Sequence, residues 1–162
     1  MTRLSTALLA ALLAPISWAQ QDFSQVQIQT TEISDGLYMM VGAGGNLALS
    51  VGEDGAFLVD DQYAPLSDKI MAAISEVTDD DVEFLVNTHW HGDHTGGNEA
   101  FGNAGAVIVA HDNTRVRMTT EQFMEIFGMS IPPAAAAAVP IVTFDDEMTF
   151  HWNGETIRAF HV

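Results

Sequence analysis

A short apolar run at 82–86 leads, after two further residues, into His89-Trp90-His91-Gly92-Asp93-His94. Any fold that houses this stretch must end a strand in a loop where three imidazoles and a carboxylate gather. At strand spacing His89 and His91 lie on one side, with Trp90 turned away. Gly92 is expected to bend the backbone sharply, so that Asp93 and His94 enter the space that the first two histidines face. Imidazole nitrogens with a hard carboxylate suit Zn²⁺, with iron or manganese as further options. Four such donors exceed what one ion needs. His89 and His91 suit one ion and Asp93 and His94 a second, with a hydroxide held between them to attack a polarised carbonyl or phosphoryl group. The chain has no cysteine, so neither thiolate ligands nor disulfides enter the argument.

Sheet and helix periodicities surround this loop. Alternating or apolar runs at 26–33, 37–41, 47–51, 56–60 and 106–110 read as strands, separated by the turn chemistry of Gly42-Ala43-Gly44-Gly45 and Gly52-Glu53-Asp54-Gly55. Leu66, Ile70, Ile74 and Val77 mark one face of a helix over 65–78, with Pro65 suited to its first turn. A short helix is expected after Thr95 and a longer one across 112–127, which would pack Met118, Phe123, Met124 and Phe127 as core or lid. The low-complexity tract at 131–140 reads as a connector because of its prolines. Asn153-Gly154 predicts a hairpin between 147–152 and 155–162. Strands first, then strand–helix alternation, then a hairpin indicate an α/β layered sheet protein.

The 162 residues suffice for one domain, and 22 acids against 5 bases give a formal charge of −17. Such a chain repels phosphate backbones and anionic lipid, which disfavours nucleic acid as a partner. Residues 1–19 have the anatomy of a secretory signal peptide. Arg3 precedes an apolar stretch from Leu4 to Ala14, Pro15 breaks it, and Ser17-Trp18-Ala19 offers small residues before a cut. The stretch is too short to span a bilayer. The expected organisation is therefore a leader at 1–19 and one domain at 20–162, in a periplasmic or secreted protein with no stable membrane anchor after cleavage.

His89-Trp90-His91-Gly92-Asp93-His94, followed by Thr95-Gly96-Gly97-Asn98, resembles the H-x-H-x-D-H signature of the metallo-β-lactamase superfamily. The resemblance extends to the strand ending in Asp60, the helix at 65–78, the strand ending at Ala110-His111 and the hairpin about Asn153-Gly154, in the family's order. It implies a four-layer αββα sandwich, of which this chain supplies the first half and the start of the second. It also implies that His89 and His91 ligate a first zinc, that Asp93 and His94 ligate a second, that Asp93 orients the attacking hydroxide, and that Asp60 braces the ligand loop. The implied reaction is attack of a metal-bound hydroxide on the carbonyl of a β-lactam, a lactone or another small ester or amide. An iron-dependent oxygenase on the same fold and a non-catalytic metal-binding fragment are the alternatives. Family members carry a third histidine for the first zinc, and further ligands for the second, beyond the strand that here reaches Val162. The domain is therefore expected to be truncated on its carboxyl side, and the 162 residues alone to be inactive. His161 reads as a strand residue short of the site, His151 as a cross-strand surface residue, and His111 as a structural hydrogen-bonding residue.

Overall fold

The computed structural model describes residues 22–126 and 128–162; the leader expected at 1–19 and Phe127 lie outside the described residues. A seven-stranded mixed sheet organises the chain, in the order β1-β2-β3-β4-β5-β6-β9. Strands β1 (Gln29–Ser34), β2 (Leu37–Val41), β3 (Leu47–Ser50) and β4 (Ala56–Val59) form an antiparallel meander. Strands β5 (Val82–Asn87), β6 (Val107–His111) and β9 (Val142–Phe144) then extend the sheet in parallel with β4. Parallel pairing demands crossovers. A 3-10 turn, Ala64–Leu66, running into α1 (Ser67–Ser75) supplies the first, and α2 (Gly92–Thr95) with α3 (Asn98–Ala104) supplies the second.

Strand alternation decides what each face meets. Leu58, Leu85 and Ile108 point to one side, where Leu66, Ile70 and Ile74 from the first crossover and Phe101 from α3 cover them. Phe57, Phe84, Val86 and Val109 point to the other, where the hairpin β10 (Glu147–Trp152) and β11 (Glu155–Phe160) lays down Phe150, Trp152 and Ile157. Trp152 meets Phe84 edge-on with ring centroids 5.0 Å apart. Beside these rings a largely apolar cavity of about 340 Å³ reaches from Phe57 and Phe144 to Asn87 and Thr88. The layers are thus helix, sheet, hairpin.

One expectation needs correction and one strand was missed. The helix foreseen across 112–127 stops early: α4 covers Asp112–Thr119, and β7 (Gln122–Met124) and β8 (Met129–Ile131) form a small antiparallel pair instead. Thr119 and Thr120 end the helix by donating hydroxyl bonds back to the carbonyls of Arg115 and Val116, and Gly128, at φ 58°, turns the pair. Phe123 is accordingly exposed, whereas Met118 is buried. The tract at 131–140 is the connector it was read as, apart from a 3-10 turn at Ala136–Ala138, and the strand β9 that follows it was not foreseen. Three residues behind a proline are too few to show a strand period, and β9 is held because it completes the parallel edge of β6.

Candidate metal centre

The site sits at the carboxyl ends of the parallel strands β4 and β5, where open α/β sheets leave a crevice. Asp60 follows β4 and Thr88 follows β5, so the brace and the ligand loop come from neighbouring strands. The bend inside the motif is not made by glycine freedom. His91 is extended (φ −66°, ψ 147°) and Gly92 opens the single helical turn α2. A Cβ at Gly92 would meet nothing within 4 Å, so the expected need for glycine at that position is corrected. The amides of His94 and Thr95 both donate to the His91 carbonyl, which tips Asp93 and His94 toward the first two histidines.

Asp60 is 2% exposed and accepts three hydrogen bonds. The Thr88 amide donates to Oδ1 at 2.8 Å, and the Thr88 hydroxyl and His94 Nδ1 each donate to Oδ2 at 2.7 Å. A carboxylate only accepts, so His94 carries its proton on Nδ1 and presents Nε2 as a lone pair. The Thr88 hydroxyl points its hydrogen at Asp60, so its oxygen accepts from His89 Nδ1 at 3.0 Å, which leaves His89 Nε2 unprotonated. One buried carboxylate thereby sets the tautomers of two histidines. Burial also pushes the His89 imidazole below its ordinary pKa, with the neighbouring His94 and His91 adding to the effect.

The donor atoms meet in pairs. His89 Nε2 and His91 Nδ1 stand 3.2 Å apart, and His94 Nε2 and Asp93 Oδ2 stand 3.4 Å apart. Two ligands of a tetrahedral zinc, with bonds of about 2.0–2.1 Å, are separated by about 3.3 Å. Each pair therefore has the bite of one ion, and the two pairs adjoin, with the His89 and His94 ring centroids 4.0 Å apart. The donor set thus fits zinc in chemistry and spacing. Among the described residues no group of three or more His, Asp or Glu side chains is arranged to hold one ion, so each pair supplies two ligands and no more.

The other histidines face elsewhere. His111 uses both ring nitrogens, Nδ1 accepting from the Asn113 amide at the start of α4 and Nε2 donating to the Asp145 carbonyl. His161 stacks on it at 4.1 Å and follows β11 rather than lying in it, and His151 pairs with Thr156 across the hairpin.

Sequence reasoning missed the polar frame around the loop. Asn87 and Asn98 exchange side-chain bonds at 2.9 and 2.8 Å, and Asn98 also donates to the Ala138 carbonyl, tying β5, α3 and the proline tract together. Asp61, beside Asp60, is fully buried. Burial pushes its carboxyl up to about 8, against the Gly97 amide donated to Oδ1 and with adjacent Asp60 adding to the rise. Its Oδ2 has no partner among the described residues. The signal available for these residues was position alone: Asp60-Asp61-Gln62 is a polar triplet at the end of an apolar strand, where a sheet opens onto its ligand.

The metallo-beta-lactamase superfamily model matches residues 40–162, which include the ligand loop and its brace. The chain belongs to this superfamily. Among solved structures, the metallo-β-lactamase of Cronobacter sakazakii with an HARLDQ motif is 20% identical with a TM-score of 0.68, over 80% of this chain and 51% of that one. BJP-1, a subclass B3 metallo-β-lactamase of Bradyrhizobium japonicum, is 19% identical with a TM-score of 0.67, over 80% and 50%. The metallo-β-lactamase of Pontibacter korlensis is 23% identical with a TM-score of 0.60, over 82% and 59%. No curated protein matches. The helix–sheet–hairpin arrangement is the metallo-β-lactamase fold, and the chain spans about half the length of the first two structures.

Proposed function

We propose that this chain is part of an exported zinc hydrolase acting on the carbonyl of a small ester or amide, β-lactams and lactones included. The observation that carries the reading is the pair of donor bites, 3.2 Å at His89–His91 and 3.4 Å at Asp93–His94, beside one buried carboxylate. Zinc held by such donors would lower the pKa of its bound water to about 7 and act as a Lewis acid for the carbonyl oxygen. The protein's own residues supply the order. Asp60 fixes His94, and through Thr88 it fixes His89, in the tautomers that leave Nε2 free. Asp93, half-buried in the first turn of α2, accepts the hydrogen bond of an attacking water and so aims it. Trp90 and Arg117, whose guanidinium lies 5.4 Å from the Trp90 ring, flank the loop. The charge of −17 and the leader at residues 1–19 support a small-molecule substrate outside the cytoplasm over a nucleic acid. No helix among the described residues is long and apolar enough to cross a membrane.

Two-donor sites bind more weakly than closed ones, so the 162-residue chain is expected to bind zinc weakly and to turn over little substrate. Zinc titration against a chromophoric chelator tests the reading, with a chromogenic cephalosporin and a lactone as substrates. His89→Ala and His94→Ala should each weaken zinc binding about tenfold or more. Wild-type affinity in both variants removes the metal assignment, and rapid turnover by this chain alone removes the two-ligand account of it.

A further inference from the structure

Gln62 is fully buried, lies at φ 57°, and points its amide away from the core toward Gly42–Gly45. Its Nε2 donates to the Gly45 carbonyl at 2.6 Å and its Oε1 accepts from the Ala43 amide at 3.3 Å. Its own carbonyl accepts from the Gly96 amide at 2.8 Å, just after α2. One residue thus holds the glycine loop on one side and the end of the ligand turn on the other. The loop it holds lies directly on two of the donors. A Cβ at Gly45 would fall 2.3 Å from His94 Cε1, and one at Gly44 would fall 2.8 Å from the Asp93 Cβ. The Gly45 amide also donates to the Asp93 carbonyl at 3.2 Å. Asp60 fixes His94 by its Nδ1; the glycine loop bears on the face of the same ring.

We propose that Gln62 is a positioning residue for the second donor pair: by clamping Gly42–Gly45 against α2 it sets where Asp93 and His94 stand, and hence how tightly that pair holds a metal. The proposal rests on the metal reading of the loop and adds a residue that touches no donor atom itself. A left-handed glutamine is costly for the backbone, so the clamp persists against a local strain that asparagine or glycine would relieve.

The test is a cobalt titration of the full chain, read by d–d absorption, in the wild type, Gln62→Met and Gln62→Glu. Methionine keeps the volume and removes both bonds. Glutamate keeps an acceptor for Ala43 and sets an oxygen against the Gly45 carbonyl. Both should weaken cobalt binding 10- to 100-fold and alter the band pattern. Ile70→Val, a core change on the buried face of α1 with no part in the loop, serves as the stability control. If that control weakens cobalt as much, or if Gln62→Met binds like the wild type while His89→Ala and His94→Ala do not, the positioning role is refuted and the metal reading stands. Cobalt binding that His89→Ala and His94→Ala leave unchanged removes the metal reading and this inference with it. Failure of both Gln62 variants to fold would make the clamp a requirement of the fold and overturn a role confined to positioning.

Discussion

Replacing Asp60 separates the two things its carboxylate does. Asp60→Ala deletes an acceptor of three hydrogen bonds and leaves the Thr88 amide and His94 Nδ1 without their partner. Removing one side of a buried charge-assisted network costs about 3–5 kcal/mol. Alanine at φ 59° adds about 1 kcal/mol, because it lacks the short polar side chain that lets aspartate adopt the left-handed region. Asp60→Asn behaves differently. Asparagine tolerates the left-handed backbone, and its Oδ1 still accepts from the Thr88 amide, so the stability loss should be about 1–3 kcal/mol. Its Nδ2 then takes the place of Oδ2 and donates toward His94 Nδ1. His94 must accept there, its proton moves to Nε2, and the lone pair that faces Asp93 is lost. Zinc affinity should fall 10- to 100-fold, or about 1.4–2.8 kcal/mol, out of proportion to the change in stability. Urea unfolding in chelator gives the first quantity, chelator competition the second, and long-range ¹H–¹⁵N spectra of the histidine rings show the tautomer. If Asp60→Asn keeps wild-type zinc affinity while His94 still carries its proton on Nδ1, the tautomer argument is wrong.

Asp61 has its folded pKa, about 8, above its ordinary 3.8, so its neutral form is the one that suits the fold. Its contribution is complete below about pH 4 and is lost as pH rises toward 8, at up to about 1.4 kcal/mol per pH unit. Urea midpoints from pH 5 to 9 should therefore show Asp61→Asn gaining on the wild type with rising pH, and parallel curves would refute this. Lys69 donates to the carbonyls of Phe23, Ser24 and Val26 at 2.9, 2.8 and 2.6 Å. Lys69→Met should cost about 2 kcal/mol and speed hydrogen exchange at residues 26–28, with unchanged exchange there counting against the latch. Gly45→Ala sets a methyl against the His94 ring, so it should lower zinc affinity and cost about 1–3 kcal/mol; tight zinc binding by the folded variant would show that the ring is not confined.

Much of the frame was legible because it follows from periodicity. Leu66, Ile70 and Ile74 mark the buried face of the first crossover, and Asn153-Gly154 turns the hairpin at φ 53° and 76°. The four residues of the ligand loop stood out because their types are rare together, and the fold brings all four side chains to one place. What was illegible depends on contact between distant segments. Gly42–Gly45 reads as turn chemistry, yet its glycines at 44 and 45 are there because Asp93 and His94 leave no room for a Cβ. Thr88 and Gln62 belong to no hydrophobic pattern, and their importance lies in which carboxylate or carbonyl faces them. The helix at 112–127 was misread because a run of mixed polar and apolar residues carries no strong period, and side-chain bonds from two threonines decide where it stops.

Asp60 and Gln62 both sit in the left-handed region on either side of Asp61. That geometry sets strain against contact. Glycine at 62 would release backbone strain of about 1–2 kcal/mol, but it would leave the Ala43 amide and the Gly45 carbonyl without their partner, at about 1–3 kcal/mol each, and empty a fully buried position. It would also free the glycine loop from the turn that carries Asp93 and His94. A library ranked by melting temperature and one ranked by metal retention would therefore both keep the strained glutamine, the first for its contacts and the second for the donor pair it sets.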